Sequence, residues 1–163
     1  MSSDRFLGSE MCEMAIETER QGAAFYDAVA ARAQDTSVAA FAKRMADAER
    51  EHEKTFTDML TRLARYQPTE SYAGEYLDYV GALVERDALP GKEAGERLAQ
   101  QAKGELEAID FAIQFEKNTI VFLHEMRNFV PENERAVVNA LLDEERQHVV
   151  DLTATRREVA GRR

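Results

Sequence analysis

The chain has 163 residues, of which 44% are hydrophobic and 32% charged, with only eight glycines and three prolines. This composition is too apolar for a disordered chain and too poor in turn residues for a sandwich or barrel of short strands. The net charge of −10 and the pI of about 4.9 argue against nucleic acids and membranes as partners. The single cysteine, Cys12, excludes an internal disulfide and a cysteine-based zinc site. The length and composition predict one helical domain over residues 1–163. No signal-like or membrane-spanning stretch is present, so we expect a cytoplasmic location.

Two long segments with apolar residues at helical spacing predict a first hairpin at about residues 9–66. The first helix is expected from about Ser9 to Gln34, and the second from the capping pair Thr36-Ser37 to about Tyr66. The inward stripe of the first helix is Cys12, Ile16, Glu19, Ala23, Tyr26, Ala30 and Ala33. The stripe of the second is Val38, Phe41, Met45, Glu49, His52, Phe56, Met59 and Leu63. The short turn between them predicts antiparallel neighbours.

Residues 67–91 connect this hairpin to the next one, and their apolar spacing predicts a short amphipathic helix. A structureless loop of that length would be unusual. We therefore expect a crossover connection that runs the length of a bundle.

A second hairpin is predicted at about residues 92–158. Its first helix begins anywhere from Lys92 to Glu105 and ends near Val130, and its second helix begins at Pro131-Glu132. The two stripes are Leu106, Ile109, Ile113, Glu116, Ile120 and Leu123, then Val138, Leu141, Glu145, His148 and Leu152. Residues 1–8 and the basic end, 156–163, are expected to be frayed. The sequence thus predicts an all-α, four-helix bundle built from two antiparallel hairpins.

Each predicted stripe has a glutamate at its centre, and two of these glutamates are followed by a histidine three residues later. The residues are Glu19, Glu49, His52, Glu116, Glu145 and His148. Residues three apart share a helix face, so each Glu-x-x-His pair presents both groups to one point. Glu116 lies 14 residues before Val130 and Glu145 lies 14 residues after Pro131, so the hairpin returns them to one level.

Four buried carboxylates would repel one another and cost several kcal/mol each if unpaired. Two divalent cations would neutralise them. Two glutamates plus two Glu-x-x-His pairs form the ligand set of carboxylate-bridged di-iron bundles.

The chain also repeats itself. Residues 15–19 (AIETE) and 25–26 (FY) align with 112–116 (AIQFE) and 122–123 (FL) at an offset of 97. Residues 47–52 (DAEREH) align with 143–148 (DEERQH) at an offset of 96. Matched spacing inside a duplicated hairpin makes a chance origin of both Glu-x-x-His pairs a poor explanation.

At these residues the chain resembles the ferritin-like superfamily, and specifically the rubrerythrin-like di-iron proteins, over roughly residues 10–155. The resemblance implies a ferritin-like four-helix bundle that holds two iron ions, with manganese or zinc as substitutes. It implies that Glu49 and Glu145 bridge the metals and that Glu19 and Glu116 are terminal carboxylates. His52 and His148 would each bind one metal, and Tyr26 would hydrogen-bond to the ligands, although plain core packing is its alternative role.

The chain departs from rubrerythrins in three ways. One cysteine cannot build the four-cysteine site of a rubredoxin domain, so that route of electron entry is missing. Thr119 stands where rubrerythrins carry an additional glutamate, and Leu123 stands at the repeat-related position of Tyr26. These differences weaken the peroxidase assignment but leave the metal site intact.

Three other residues near the stripes need an interpretation. Glu144 is an alternative to Glu145 as ligand, although the spacing to His148 favours Glu145. His124 lies off the stripe and is expected on the surface, and Cys12 is expected to be a small buried apolar residue.

The leading functional hypothesis is a di-iron oxidoreductase that reduces hydrogen peroxide or dioxygen with an external electron donor. One alternative is an iron-sequestering or storage protein, for which a large assembly in solution would be diagnostic. Another is a non-catalytic bundle stabilised by zinc or manganese, which would show no redox cycling. We expect a small homodimer, with no nucleic-acid or membrane partner.

Overall fold

The computed structural model describes residues 8–63, 78–79, 82 and 92–162. Within those ranges the chain contains no strand and five helices of ten residues or more. The helices are α1 (Gly8–Arg32), α2 (Thr36–Leu63), α3 (Lys92–Gln101), α4 (Glu105–Met126) and α5 (Glu132–Gly161). The hairpins α1–α2 and α4–α5 pack together through α1 against α4 and α2 against α5, while α3 packs on α1. The predicted all-α, ferritin-like bundle is confirmed.

Two carboxylate side chains accept hydrogen bonds from the backbone at the turn between α1 and α2. Oδ1 of Asp35 accepts hydrogen bonds from the backbone N–H of Ser37 at 2.8 Å and from its hydroxyl at 2.6 Å. Asp35 is therefore the N-cap of α2, whereas the sequence suggested Thr36-Ser37. Oε1 of Glu105, at the start of α4, accepts from the backbone N–H groups of Gln34 and Asp35 at 2.9 and 2.8 Å. The turn of the first hairpin is thereby tied to the second hairpin.

The first helix of the second hairpin is in fact two helices. The chain leaves the helical conformation between Gln101 and Glu105, so both of the predicted starting points begin a helix. Glu107 caps the break, since its Oε2 accepts the backbone N–H of Lys103 at 2.5 Å. α4 ends at Met126, short of the predicted Val130, and a tight turn leads to α5.

The apolar core consists of two clusters at the two ends of the bundle. The cluster at the α4–α5 turn contains Met11, Cys12, Ala15, Ile16, Phe56, Met59, Leu63, Phe122, Leu123, Met126, Phe129, Val130, Val138, Leu141 and Leu142. The cluster at the α1–α2 turn contains Phe25, Tyr26, Val29, Val38, Ala42, Met45, Ala46, Ala99, Ala102, Ala108, Ile109, Ala112, Leu152 and Val159. Along every long helix the predicted ligand residues fall between these two sets.

The C-terminal end is more ordered than predicted. α5 continues to Gly161, and Val159 is buried in the core. Arg156 forms a bidentate pair with Asp110 at 2.5 and 3.0 Å, and Arg162 contacts Asp35 at 2.5 Å. The expectation of fraying over 156–162 was therefore wrong, because Arg156, Val159 and Arg162 each contact residues elsewhere in the bundle.

The connection between the hairpins falls largely outside the described residues. Asp78, Tyr79 and Ala82 are helical, and the rest of the predicted crossover helix is not described. Across the described parts of the chain, no helix has both the length and the apolar character needed to cross a bilayer.

Candidate metal centre

All six residues predicted as metal ligands meet at mid-height in the bundle. Four helices contribute: α1 gives Glu19, α2 gives Glu49 and His52, α4 gives Glu116, and α5 gives Glu145 and His148. The four glutamates and His52 are at most 2% exposed, and the side chain of His148 is 12% exposed. The cluster is polar, almost fully enclosed, and bounded by apolar core at both ends.

The cluster divides into two overlapping groups, each with ligand atoms within 4.8 Å of one another. One group is Glu19, Glu49, His52 and Glu145, and the other is Glu49, Glu116, Glu145 and His148. Glu49 and Glu145 belong to both groups. Each group has the donor atoms to hold a metal ion, and the two groups have two carboxylates in common.

Glu145 faces both histidines with different oxygens. Its Oε1 lies 2.9 Å from Nδ1 of His52, and its Oε2 lies 2.9 Å from Nδ1 of His148. The two imidazole rings are stacked, with centroids 5.5 Å apart. Nδ1 of His52 also lies 3.6 Å from Glu19, and Nδ1 of His148 lies 3.9 Å from Glu116. Both histidines thus direct Nδ1 toward the carboxylates.

Most of the polar atoms in this cluster have no hydrogen-bond partner. In the part of the chain that the structure describes, eight buried side-chain nitrogen or oxygen atoms lack one. Seven of the eight belong to the cluster: both oxygens of Glu19 and of Glu49, Nδ1 of His52, Oε2 of Glu116 and Oε1 of Glu145. Buried polar groups are normally satisfied, so a set of orphaned donor atoms at one point fits a bound cation.

The pKa values of the glutamates also reflect the lack of positive charge around the buried carboxylates. Burial raises the pKa of Glu19 and of Glu49 well above the ordinary carboxyl value. Burial also raises the pKa of Glu116, to about 7, although His148 opposes it. Burial would raise the pKa of Glu145 too, but the close contacts of its carboxylate with His148 and His52 hold that pKa below the usual range.

The two histidines are correspondingly easier to protonate. Burial alone would lower their pKa values, but contacts with Glu145 raise the pKa of His52 to about 9. Contacts with Glu116 and Glu145 raise the pKa of His148 to about 10. In the absence of metal, protons take the place of cations and partly neutralise the cluster.

Comparison with known protein families identifies the chain. Residues 10–155 match the Rubrerythrin family, which covers both hairpins and all six clustered residues. The chain belongs to the rubrerythrin family. The one cysteine of this sequence cannot supply the four ligands of a rubredoxin-type iron site. No curated protein and no solved structure matches the chain.

Rubrerythrin membership points to a di-iron carboxylate protein, and the buried Glu/His cluster has the donor set to bind metal. Carboxylate oxygens and imidazole nitrogens suit Fe(II), Mn(II) and Zn(II).

Tyr26 contacts the cluster directly, as the resemblance to rubrerythrins implied. Its hydroxyl donates a hydrogen bond to Oε1 of Glu116, and burial raises its pKa well above the ordinary value, so it stays protonated. Thr119 and Leu123, the two positions at which the sequence departs from the resemblance described above, are also buried. The Thr119 hydroxyl donates to the backbone carbonyl of Phe115 at 3.2 Å, in its own helix.

Glu144 lies outside both ligand groups. Its side chain is 60% exposed, and its Oε2 lies 3.0 Å from Nε2 of His52, the ring nitrogen that points away from the other carboxylates. The sequence offered Glu144 only as an alternative ligand to Glu145 and did not predict its contact with His52 on the other hairpin. The signal for it was a second carboxylate directly before Glu145 in the second repeat.

The two other residues considered from the sequence lie where expected. His124 is exposed, with its Nε2 3.2 Å from a guanidinium nitrogen of Arg146. Cys12 is fully buried, and its thiol donates to the carbonyl of Phe56 at 3.0 Å. Burial raises the pKa of this thiol to about 12, so it is an unreactive core residue.

Proposed function

We propose that the chain is a di-iron carboxylate oxidoreductase that reduces hydrogen peroxide or dioxygen with electrons from an external donor. The observation that carries this proposal is the pair of ligand groups with Glu49 and Glu145 in common. Two metal positions that share carboxylates suit a reaction that needs two electrons at one place.

When bound, a ferrous pair supplies the two electrons that convert one hydrogen peroxide and two protons into two water molecules, becoming diferric. In this proposal Glu49 and Glu145 would be common to both ions, while Glu19 and Glu116 would each serve one ion, as the membership of the two ligand groups indicates. His52 and His148 would each serve one ion with Nδ1, the nitrogen directed at the carboxylates.

Other parts of the chain prepare the site. The phenol of Tyr26 holds the Glu116 carboxylate by its hydrogen bond. The apolar clusters at both ends of the bundle limit water access, which strengthens electrostatic interactions at the site. The one cysteine of this sequence cannot by itself form a rubredoxin-type iron site, which supports an external donor in this proposal.

Anaerobic loading with Fe(II), followed by rapid mixing with hydrogen peroxide or with air, tests this function. We expect one peroxide consumed per two irons oxidised, with faster oxidation by peroxide than by air. Glu49→Gln should abolish this reaction. Glu51→Gln is the matched control, since its side chain lies on the exposed face of the same helix and pairs with Lys54 on the surface.

Other outcomes would favour the alternative functions. Two bound metals without oxidation by either oxidant would contradict an oxidoreductase and favour a metal-stabilised bundle. Oxidation by air that continues far beyond two irons per chain, in a large assembly, would favour iron storage.

A further inference from the structure

The internal repeat makes the two halves of the metal centre nearly equivalent, but two positions break the symmetry. Glu144 of the second repeat corresponds to Ala48 of the first at the offset of 96. Tyr26 of the first repeat corresponds to Leu123 of the second at the offset of 97. Glu144 and Tyr26 therefore each contact one half of the cluster and have no counterpart in the other half.

Glu144 acts on the position served by Glu19 and His52. Its carboxylate lies 3.0 Å from Nε2 of His52, so it can accept the Nε2–H and leave the Nδ1 lone pair directed at the site. A carboxylate that accepts from the far nitrogen of a ligating imidazole orients the ring and makes it a better donor. Ala48, in the equivalent place of the other repeat, has no acceptor to offer His148.

Tyr26 acts on the opposite position. Its hydroxyl donates to Oε1 of Glu116, so Oε2 is the oxygen of this carboxylate that is left without a hydrogen-bond partner. Leu123 cannot do the same to Glu19, and among the described residues neither oxygen of Glu19 has a hydrogen-bond partner. Glu19 therefore has two oxygens to offer a cation where Glu116 has one, and both asymmetries favour the position of Glu19 and His52.

We propose that the two metal positions are unequal, and that the position of Glu19 and His52 fills first and binds its ion more tightly than that of Glu116 and His148. This inference rests on the proposed function only in requiring that two divalent ions bind. At limiting metal most chains hold one ion, so the two-electron site is completed only when the second, weaker position fills.

Anaerobic titration of the metal-free protein with Co(II) tests the inequality without any turnover. We expect two separate binding steps in the absorbance spectrum. At one equivalent, the paramagnetically shifted proton NMR spectrum should show one exchangeable imidazole N–H, that of His52 held by Glu144. That signal should be missing in Glu144→Ala, where the N–H exchanges freely with water.

We predict opposite changes in the binding constants of the first and second metal-binding steps for two variants. Glu144→Ala should weaken the first step by about tenfold or more while the total stays at two ions. Ala48→Glu, which places a carboxylate at the repeat-related position of Glu144, should tighten the second step. Asp143→Ala is the matched control, since this 75% exposed neighbour pairs with Arg146 and should leave both constants unchanged.

The results separate this inference from the proposed function. Two ions bound with equal affinity, or a first step that Glu144→Ala leaves unchanged, would overturn the inequality while the two-metal site stands. Failure of the unmodified protein to bind two ions would overturn both.

Discussion

The side chain of Glu49 packs closely against Gly22 on the neighbouring helix α1. A Cβ on Gly22 would lie 2.9 Å from Cε1 of Phe115 and 3.1 Å from both Cδ and Oε2 of Glu49. The absence of a side chain at Gly22 lets α1 approach Glu49, one of the two carboxylates that both ligand groups share.

Gly22→Ala should therefore disturb the metal centre more than the fold. Alanine favours the helix by about 1 kcal/mol over glycine, which offsets part of the packing cost. The Glu49 carboxylate must move by a few tenths of an ångström, so we expect Zn(II) affinity to fall by about tenfold. Competition with a chelator measures the change, and melting of the metal-free variant shows whether the fold is retained. Unchanged affinity would mean that Glu49 tolerates the displacement.

At the scale of elements, α3 packs on α1 through direct backbone contact. A Cβ on Gly95 would lie 2.1 Å from the carbonyl oxygen of Gln21 and 2.8 Å from the backbone nitrogen of Phe25. No side-chain rotation relieves contacts with backbone atoms, so any larger residue must push α3 away from α1.

Gly95→Ala should destabilise the protein by about 1–3 kcal/mol, the usual cost of overpacking. Gly161→Ala is the control because, among the described residues, no atom outside its own stretch of helix lies within 4 Å of the added Cβ, so its effect should stay within about 0.5 kcal/mol. Urea unfolding of the metal-free proteins measures both. Equal stability of the two variants would contradict the close packing of α3.

The sequence predicted the elements best where function constrains them. The stripes of α1, α2 and α5 are confirmed in outline, because a buried glutamate or Glu-x-x-His pair fixes which face points inward. The buried face of α4 is rotated from the prediction. Ile113 and Ile120 are only partly buried, while Ala112 and Thr119 are buried. Small residues that allow close helix packing give a weak hydrophobic signal, so spacing of large apolar residues alone misplaces the face.

Contacts between distant elements could not be predicted in this way. Glu105 capping the α1–α2 turn, Arg162 pairing with Asp35 and Glu144 contacting His52 each join residues at least 70 positions apart. A polar residue on an exposed face carries no periodic signal that names its partner. The repeat placed the ligand candidates at one level, but only the packed bundle shows what surrounds them.

At the scale of the whole molecule, the metal-free fold holds a destabilising cluster between two apolar ends. His52 and His148, with pKa values raised to about 9 and 10, contribute stability that is fully present below pH 6.5 and lost as the pH rises through those values. Burial raises the pKa of Glu19 and Glu49, so ionising them in the fold costs stability in the same direction. Glu145, with its lowered pKa, contributes stability that is lost on acidification below about pH 4.5.

The melting temperature of the metal-free protein should therefore fall as the pH rises from 6 to 10. Metal binding displaces protons from the ligands, so the stabilisation by saturating Zn(II) should grow over the same range. Thermal melts with and without metal at several pH values measure both trends. A metal-free melting temperature that rises with pH would contradict this electrostatic picture.

The measurement that tests the account most directly is the number of Fe(II) ions retained per chain after anaerobic loading and removal of unbound metal. We predict two for the unmodified protein and one for Glu19→Gln or Glu116→Gln, since each of these glutamates belongs to one ligand group. Glu49→Gln and Glu145→Gln remove a residue common to both groups and should lose the paired site altogether. Two ions retained in either of these last variants would contradict a shared-carboxylate centre.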